Sequence, residues 1–118
     1  MSSVVADVIQ RIAPGQAEFF PVKIAGAKAQ YQILNAIRRA ECLDEARSEF
    51  TMWTEEDHYP EMMGNYKMIS TIRVDPARTG GHHMFRIARW TLALLVSDSL
   101  KNAIEDIPNL GVVFESVV

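Results

Sequence analysis

Residues 80–118, GGHHMFRIARWTLALLVSDSLKNAIEDIPNLGVVFESVV, place a strand pair, a capped helix and a closing strand in one unbroken run. The stretches 83–87 and 90–96 read as two strands joined by a tight connection, and the apolar run LALLV at 92–96 is the pattern of a strand central to a sheet. Ser97 then stands where a helix N-cap belongs, and Asp98 suits the positive end of the helix dipole. Leu100, Ala103, Ile104 and Ile107 recur on one stripe, and Pro108 ends it. Gly111 opens a last strand over 112–118.

Working upstream, residues 66–74 alternate, with Tyr66, Met68, Ile72 and Val74 on one face and Lys67, Thr71 and Arg73 on the other, before Asp75 and Pro76 turn the chain. Ahead of them lies TEEDHYPEMMGN at 54–65, a surface loop broken by Pro60, Gly64 and Asn65, entered from a short strand over 49–53. Residues 30–38, QYQILNAIR, carry apolar groups on both alternating faces, as a strand buried on two sides does; a helix is the alternative. AEFFPVKI at 17–24 reads as extended, with Pro21 confining it to an edge or a bend. Val4, Val5, Val8, Ile9 and Ile12 keep helical spacing over 3–12, with Ser2 or Ser3 to cap the start and Pro14 and Gly15 to stop the run. Strands outnumber helices and do not alternate with them, so the expected fold is α+β: a mostly antiparallel sheet, an N-terminal helix, and a helix before the last strand.

At 118 residues the chain is sized for a single domain over 1–118. Its 48% hydrophobic and 23% charged residues are ordinary for a soluble protein, and no segment reaches the roughly 20 apolar residues of a membrane span. The start, MSSVVADVIQ, lacks the basic and apolar regions of a secretory signal, and the single cysteine, Cys42, cannot form an internal disulfide; both fit a cytoplasmic protein. The net charge of −3 is unevenly spread. Residues 41–61 hold eight acids against Arg47 alone, a net of −7, while the rest holds seven acids and eleven bases, a net of +4. Such a run is either a solvated face or a docking surface for a basic partner.

Catalytic patterns are sparse. The Gly80–Gly81 pair leads into histidines and a strand, not into the helix N-terminus that a phosphate cradle needs. His82 and His83 are adjacent, so on a strand they face opposite ways and cannot share one metal ion. Cys42 sits between Glu41 and Asp44, which disfavour a thiolate, and no serine lies in a G-x-S-x-G elbow. A pI near 5.6 and the lack of a basic face argue against direct nucleic-acid binding. Phe85 and Trp90 lie within apolar runs and read as core. No cofactor is implied.

The order of fragments resembles the Imm11 immunity protein family of bacterial polymorphic toxin systems, a domain first noted in myxobacterial proteins. The pieces are IAPGQAEFFPVKI at 12–24, YQILNAIRRAECLDEARSEF at 31–50, a strand ending in VDPAR at 74–78, HHMFRIARW at 82–90, LLVSDSLKNAIE at 94–105 and NLGVVFESV at 109–117. Members often carry further residues ahead of this region, which makes the chain a short member or a piece of a longer domain. The resemblance implies a cytoplasmic, non-enzymatic protein that binds and blocks a cognate toxin, often a nuclease. Carboxylates presented where phosphates bind suit that task. The expected toxin contacts are Glu55, Glu56, Asp57 and Glu61 for charge and Trp53 and Tyr59 as aromatic anchors. Two other readings stand beside it: a small metal-dependent enzyme using Asp75, His82 and His83, and an interaction domain of a larger protein, pairing as a homodimer through a strand edge at 112–118.

Overall fold

The computed structural model describes residues 1–26, 28, 30–108 and 110–118. The elements run α1 (Ser3–Ile12), β1 (Ala17–Val22), β2 (Tyr31–Ala36), β3 (Arg39–Ala40), β4 (Glu49–Met52), β5 (Tyr66–Thr71), β6 (Met84–Ile87), β7 (Trp90–Val96) and α2 (Asp98–Glu105). Among the described residues the strands form a β1–β2 pair, a three-stranded sheet in the order β3–β6–β7, and a β4–β5 pair. The long pairings β1–β2 and β4–β5 are antiparallel, and the two-residue β3 meets β6 in parallel. The fold is therefore α+β, with its helices near the two ends of the chain.

The chain divides into two compact units, and β6 and β7 contribute to both. The first unit comprises Met1–Arg38, His82–Phe85 and Leu94–Phe114. Its core is built from apolar periodicity: Val5, Ile9 and Ala13 from the α1 region, Ala36 from β2, Met84 from β6, and Leu100 and Ile104 from α2 form one buried cluster. Phe19, Leu34 and Val96 pack against it. Ser2 caps α1 by accepting from the Val5 N–H, and Ser97 caps α2 by accepting from the Leu100 N–H. His83 Nδ1 lies 2.7 Å from Ser97 Oγ, and the Gln16 side-chain oxygen accepts from the N–H groups of both His83 and Met84.

The second unit comprises Arg39–Gly81, Arg86–Ala93 and Glu115–Val118. Cys42, Leu43, Tyr66, Ile69, Val74 and Ile87 are buried within it. Burial is the largest influence on the Cys42 thiol and raises its pKa, outweighing Arg78, which the fold brings near it and which the sequence order did not suggest.

Four expectations are corrected. Residues 112–118 form no strand; among the described residues they keep one backbone bond, from the Val74 N–H to the Val117 carbonyl, and the strand edge proposed for homodimer pairing is not formed. The LALLV run is not central: β7 is outermost in its sheet, with Leu92 78% and Leu94 43% exposed while Leu95 is buried. β2 is buried on one side, since Ile33 is 57% exposed. In β5 the buried residues are Tyr66 and Ile69, whereas Met68 is 60% exposed. The physical reason is the register: Met52 opposes Tyr66, Thr51 opposes Met68, Phe50 opposes Ile69 and Glu49 opposes Thr71. Lys67 and Ser70 are thus extra residues, two bulges that break the two-residue alternation.

Candidate functional site

The acidic, aromatic loop is ordered by its own side chains. At its base the Trp53 N–H donates to the Asn65 carbonyl at 3.1 Å. Glu55–Asp57 forms one 3-10 turn and Pro60–Met62 a second, with His58 between them in the left-handed region at φ 61°. The Asp57 carboxylate accepts from the Thr54 N–H at 2.9 Å and the Thr54 hydroxyl at 3.3 Å, and from the Lys67 ammonium. Lys67 Nζ also lies 5.1 Å from the Trp53 ring centroid, and Trp53 meets Tyr59 edge to face at 5.6 Å. The bulge in β5 is what re-aims Lys67, so one cation ties together the start, the turn and the aromatic pair of the loop.

The six expected contact residues therefore separate. Glu55, Glu56 and Glu61 are exposed and make no ion pair among the described residues. Tyr59 is 54% exposed and Trp53 half-buried. Asp57 is paired with Lys67, unlike the other three carboxylates. The rest of the acidic segment is largely compensated: Arg89 reaches Glu41 at 3.3 Å and Glu45 at 3.8 Å, and Arg47 reaches Asp44 at 3.7 Å. Lys67 and Arg89, both outside 41–61, were not legible as its counter-ions.

Lys67 first, and then the Thr54 N–H, hold the Asp57 carboxyl below its ordinary range. A carboxyl depressed in the folded state contributes stability above its unfolded pKa and loses it as pH falls through the folded value. Fluorescence of Trp53, read in a Trp90→Phe background, is expected to hold steady as pH drops past about 4 and to change only below that. A change centred in the ordinary carboxylate range would remove the Lys67–Asp57 tie.

Beneath the loop Tyr66 is 4% exposed and meets Phe50 edge to face at 5.2 Å, with the Arg89 guanidinium 4.8 Å from its ring centroid. Its hydroxyl donates to Glu45 at 2.6 Å and accepts from Arg89 at 3.2 Å. Burial, then the bond to Glu45, pushes its pKa up to about 12. The neutral phenol is the favoured form, so its stabilisation is complete below pH about 10 and is lost as pH rises through about 12. In an absorbance titration of the native protein one tyrosine is expected to ionise last, and Tyr66→Phe is expected to delete that step alone.

An open groove of ≈340 Å³ is lined by Trp53, Met62, Tyr66, Lys67, Trp90 and Leu92 among others. Leu92, read from sequence as part of a central strand, is instead the most exposed apolar side chain there. The indole Nε1 of Trp90 is buried without an acceptor among the described residues. No helix among the described residues is long and apolar enough to cross a membrane.

Two of the three residues of the metal-enzyme reading, Asp75 and His83, are engaged elsewhere. Asp75 accepts from the Ala77 N–H and pairs with Arg78 at 3.2 Å, and His83 is bonded to Ser97. Among the described residues no group of three or more His, Cys, Asp or Glu is placed to hold a metal ion.

The immunity protein family (Imm11) matches residues 1–118, the whole chain. The chain belongs to the Imm11 immunity protein family. Neither the curated proteins nor the solved structures contain a match to it. Membership in Imm11 assigns an immunity function, which implies a cognate toxin as partner.

Proposed function

We propose that this chain neutralises the toxin domain of a polymorphic toxin system in the cytoplasm of the producing cell and its siblings, and that the toxin is a nuclease. The observation that carries this reading is the loop at 53–61. Glu55, Glu56 and Glu61 present carboxylates without counter-ions among the described residues, beside the Trp53–Tyr59 pair, while Lys67 and Asp57 hold the loop in shape. A nuclease draws phosphates with a basic surface, and the same field draws these carboxylates. Aromatic side chains already held in place lose little freedom on binding and supply the interface with its anchors. The ≈340 Å³ groove next to Trp53 gives room for an apolar side chain of the toxin.

The test is a co-expression rescue. The toxin domain encoded beside this gene is induced in a bacterial host with and without this protein, followed by a pull-down and a nuclease assay on the purified toxin. Survival with a stoichiometric complex and suppressed nucleic-acid cleavage is the expected result. Death of cells that express the protein well, with no complex formed, would overturn it.

A further inference from the structure

We propose that Arg39 and Arg86 form a carboxylate-binding site for the toxin, beside a groove that takes the apolar side chain next to that carboxylate. The site presupposes the toxin reading above and adds to it a contact of opposite charge. Arg39 and Arg86 stand opposite each other in the parallel pairing of β3 with β6, and the next pair along is Ala40 with Ile87. Register partners share a face, and successive residues alternate between faces. Ala40 and Ile87 are buried, so both arginines point outward, Arg39 exposed and Arg86 half-buried. Like charges set side by side on neighbouring strands destabilise the pairing. Neither arginine makes an ion pair among the described residues, although the chain carries 15 acids against 12 bases. Arg47, Lys67, Arg78 and Arg89 of the same unit each hold a carboxylate.

The surroundings of the pair say what it holds. The Arg86 guanidinium donates to the Thr91 carbonyl at 3.3 Å, and Thr91 lines the ≈340 Å³ groove together with Arg39, Trp53 and Leu92. The arginines therefore stand at the rim of that groove, and among the described residues no aspartate or glutamate lines it. A planar guanidinium gives a carboxylate two parallel N–H bonds, and a second cation beside it completes the compensation of charge. A polyanion such as a nucleic-acid strand is disfavoured, because Trp53 of the same groove leads straight into the unpaired Glu55 and Glu56, which repel a run of phosphates. A protein surface can instead present one carboxylate among its cations. The toxin then meets two patches of opposite sign in this one unit, acidic at the loop and basic at the arginine pair. The pair fixes the docking register and rejects partners that are basic throughout, which the loop alone would accept.

Surface plasmon resonance with a catalytically inactive form of the toxin domain encoded beside this gene tests the assignment. Arg39→Glu with Arg86→Glu is expected to weaken binding more than about tenfold. Arg39→Gln with Arg86→Gln is expected to weaken it about tenfold without lowering the thermal midpoint, because the two cations oppose each other in the free protein. A role in folding alone would do the reverse, lowering the midpoint while the folded protein binds as before, and would overturn the proposal. So would unchanged or tighter binding by both double variants; tighter binding would mean that the toxin is basic at this point. In either case the unaltered protein still forms its complex, and the immunity reading stands. No complex with the unaltered protein would overturn that reading and this site together. Self-association of the free protein in sedimentation, or binding of a single-stranded oligonucleotide, abolished by these substitutions while toxin binding persists, would assign the pair to a second copy or to phosphate and overturn it as well.

Discussion

Replacing Leu100 by alanine is expected to destabilise the protein by about 3–4 kcal/mol, because the side chain is fully buried and the cluster around it closes from several directions. The same buried cluster takes in Ile9 and Ala13 from the α1 region, Ala36 from β2, Met84 from β6 and Ile104 from the helix of Leu100. These neighbours are held by four elements, α1, β2, β6 and α2, so the void cannot collapse by moving one of them. For a chain of this size such a loss lowers the thermal midpoint by roughly 10–20 °C, a large share of the stability of a small protein. Leu100→Met, which keeps the volume, is expected to cost below about 1.5 kcal/mol. Equal midpoints for the two variants would show that the cavity, and hence this cluster, does not control unfolding.

That Leu100 sits at the centre of the first unit was legible from the chain. Ser97, Asp98 and the stripe ending at Pro108 define α2 by local chemistry, as Ser2 and the Val5–Ile9 spacing define α1, and caps and stripes belong to the helix itself. Strands reveal less, because what they face depends on a neighbour distant in sequence. The 92–96 run looks buried on both sides, yet nothing packs over Leu92. VVFESVV has the composition of a strand, yet no ladder accepts it, and composition cannot supply one. The alternation through 66–74 fails at Lys67 because a bulge is a property of the pair β4–β5 and not of either strand.

The site divides along the same line. Trp53, Tyr59 and the carboxylates of 55, 56 and 61 are adjacent in sequence, and their exposure follows from a loop rich in Pro, Gly and acids. The tie between Lys67 and Asp57 is invisible there, since it needs the bulge to turn Lys67 toward the loop. What reads from sequence as four charges and two aromatic anchors becomes, among the described residues, three carboxylates without an ion pair, two aromatic rings and one carboxylate paired with Lys67.

Those distinctions predict different kinetics, and the second large effect lies there. Glu55→Lys with Glu56→Lys is expected to slow association with a catalytically inactive form of the toxin by tenfold or more at low salt, since exposed charges act chiefly on encounter. The difference from the unaltered protein is expected to shrink as salt rises and the Debye length falls below about 10 Å. Trp53→Ala is expected to leave association nearly unchanged and to raise dissociation by about 30-fold or more, corresponding to the 2 kcal/mol or above typical of a buried aromatic anchor. Asp57→Asn gives the discriminating case. Its carboxylate is already neutralised by Lys67, so a role in loop order predicts faster dissociation with an unchanged salt dependence of association, whereas a role as docking charge predicts the behaviour of Glu55. Surface plasmon resonance at two ionic strengths separates the outcomes. Unchanged rates for the charge reversal and for Trp53→Ala together, in a protein that still protects cells, would move the toxin contact away from 53–61 and leave the family assignment standing.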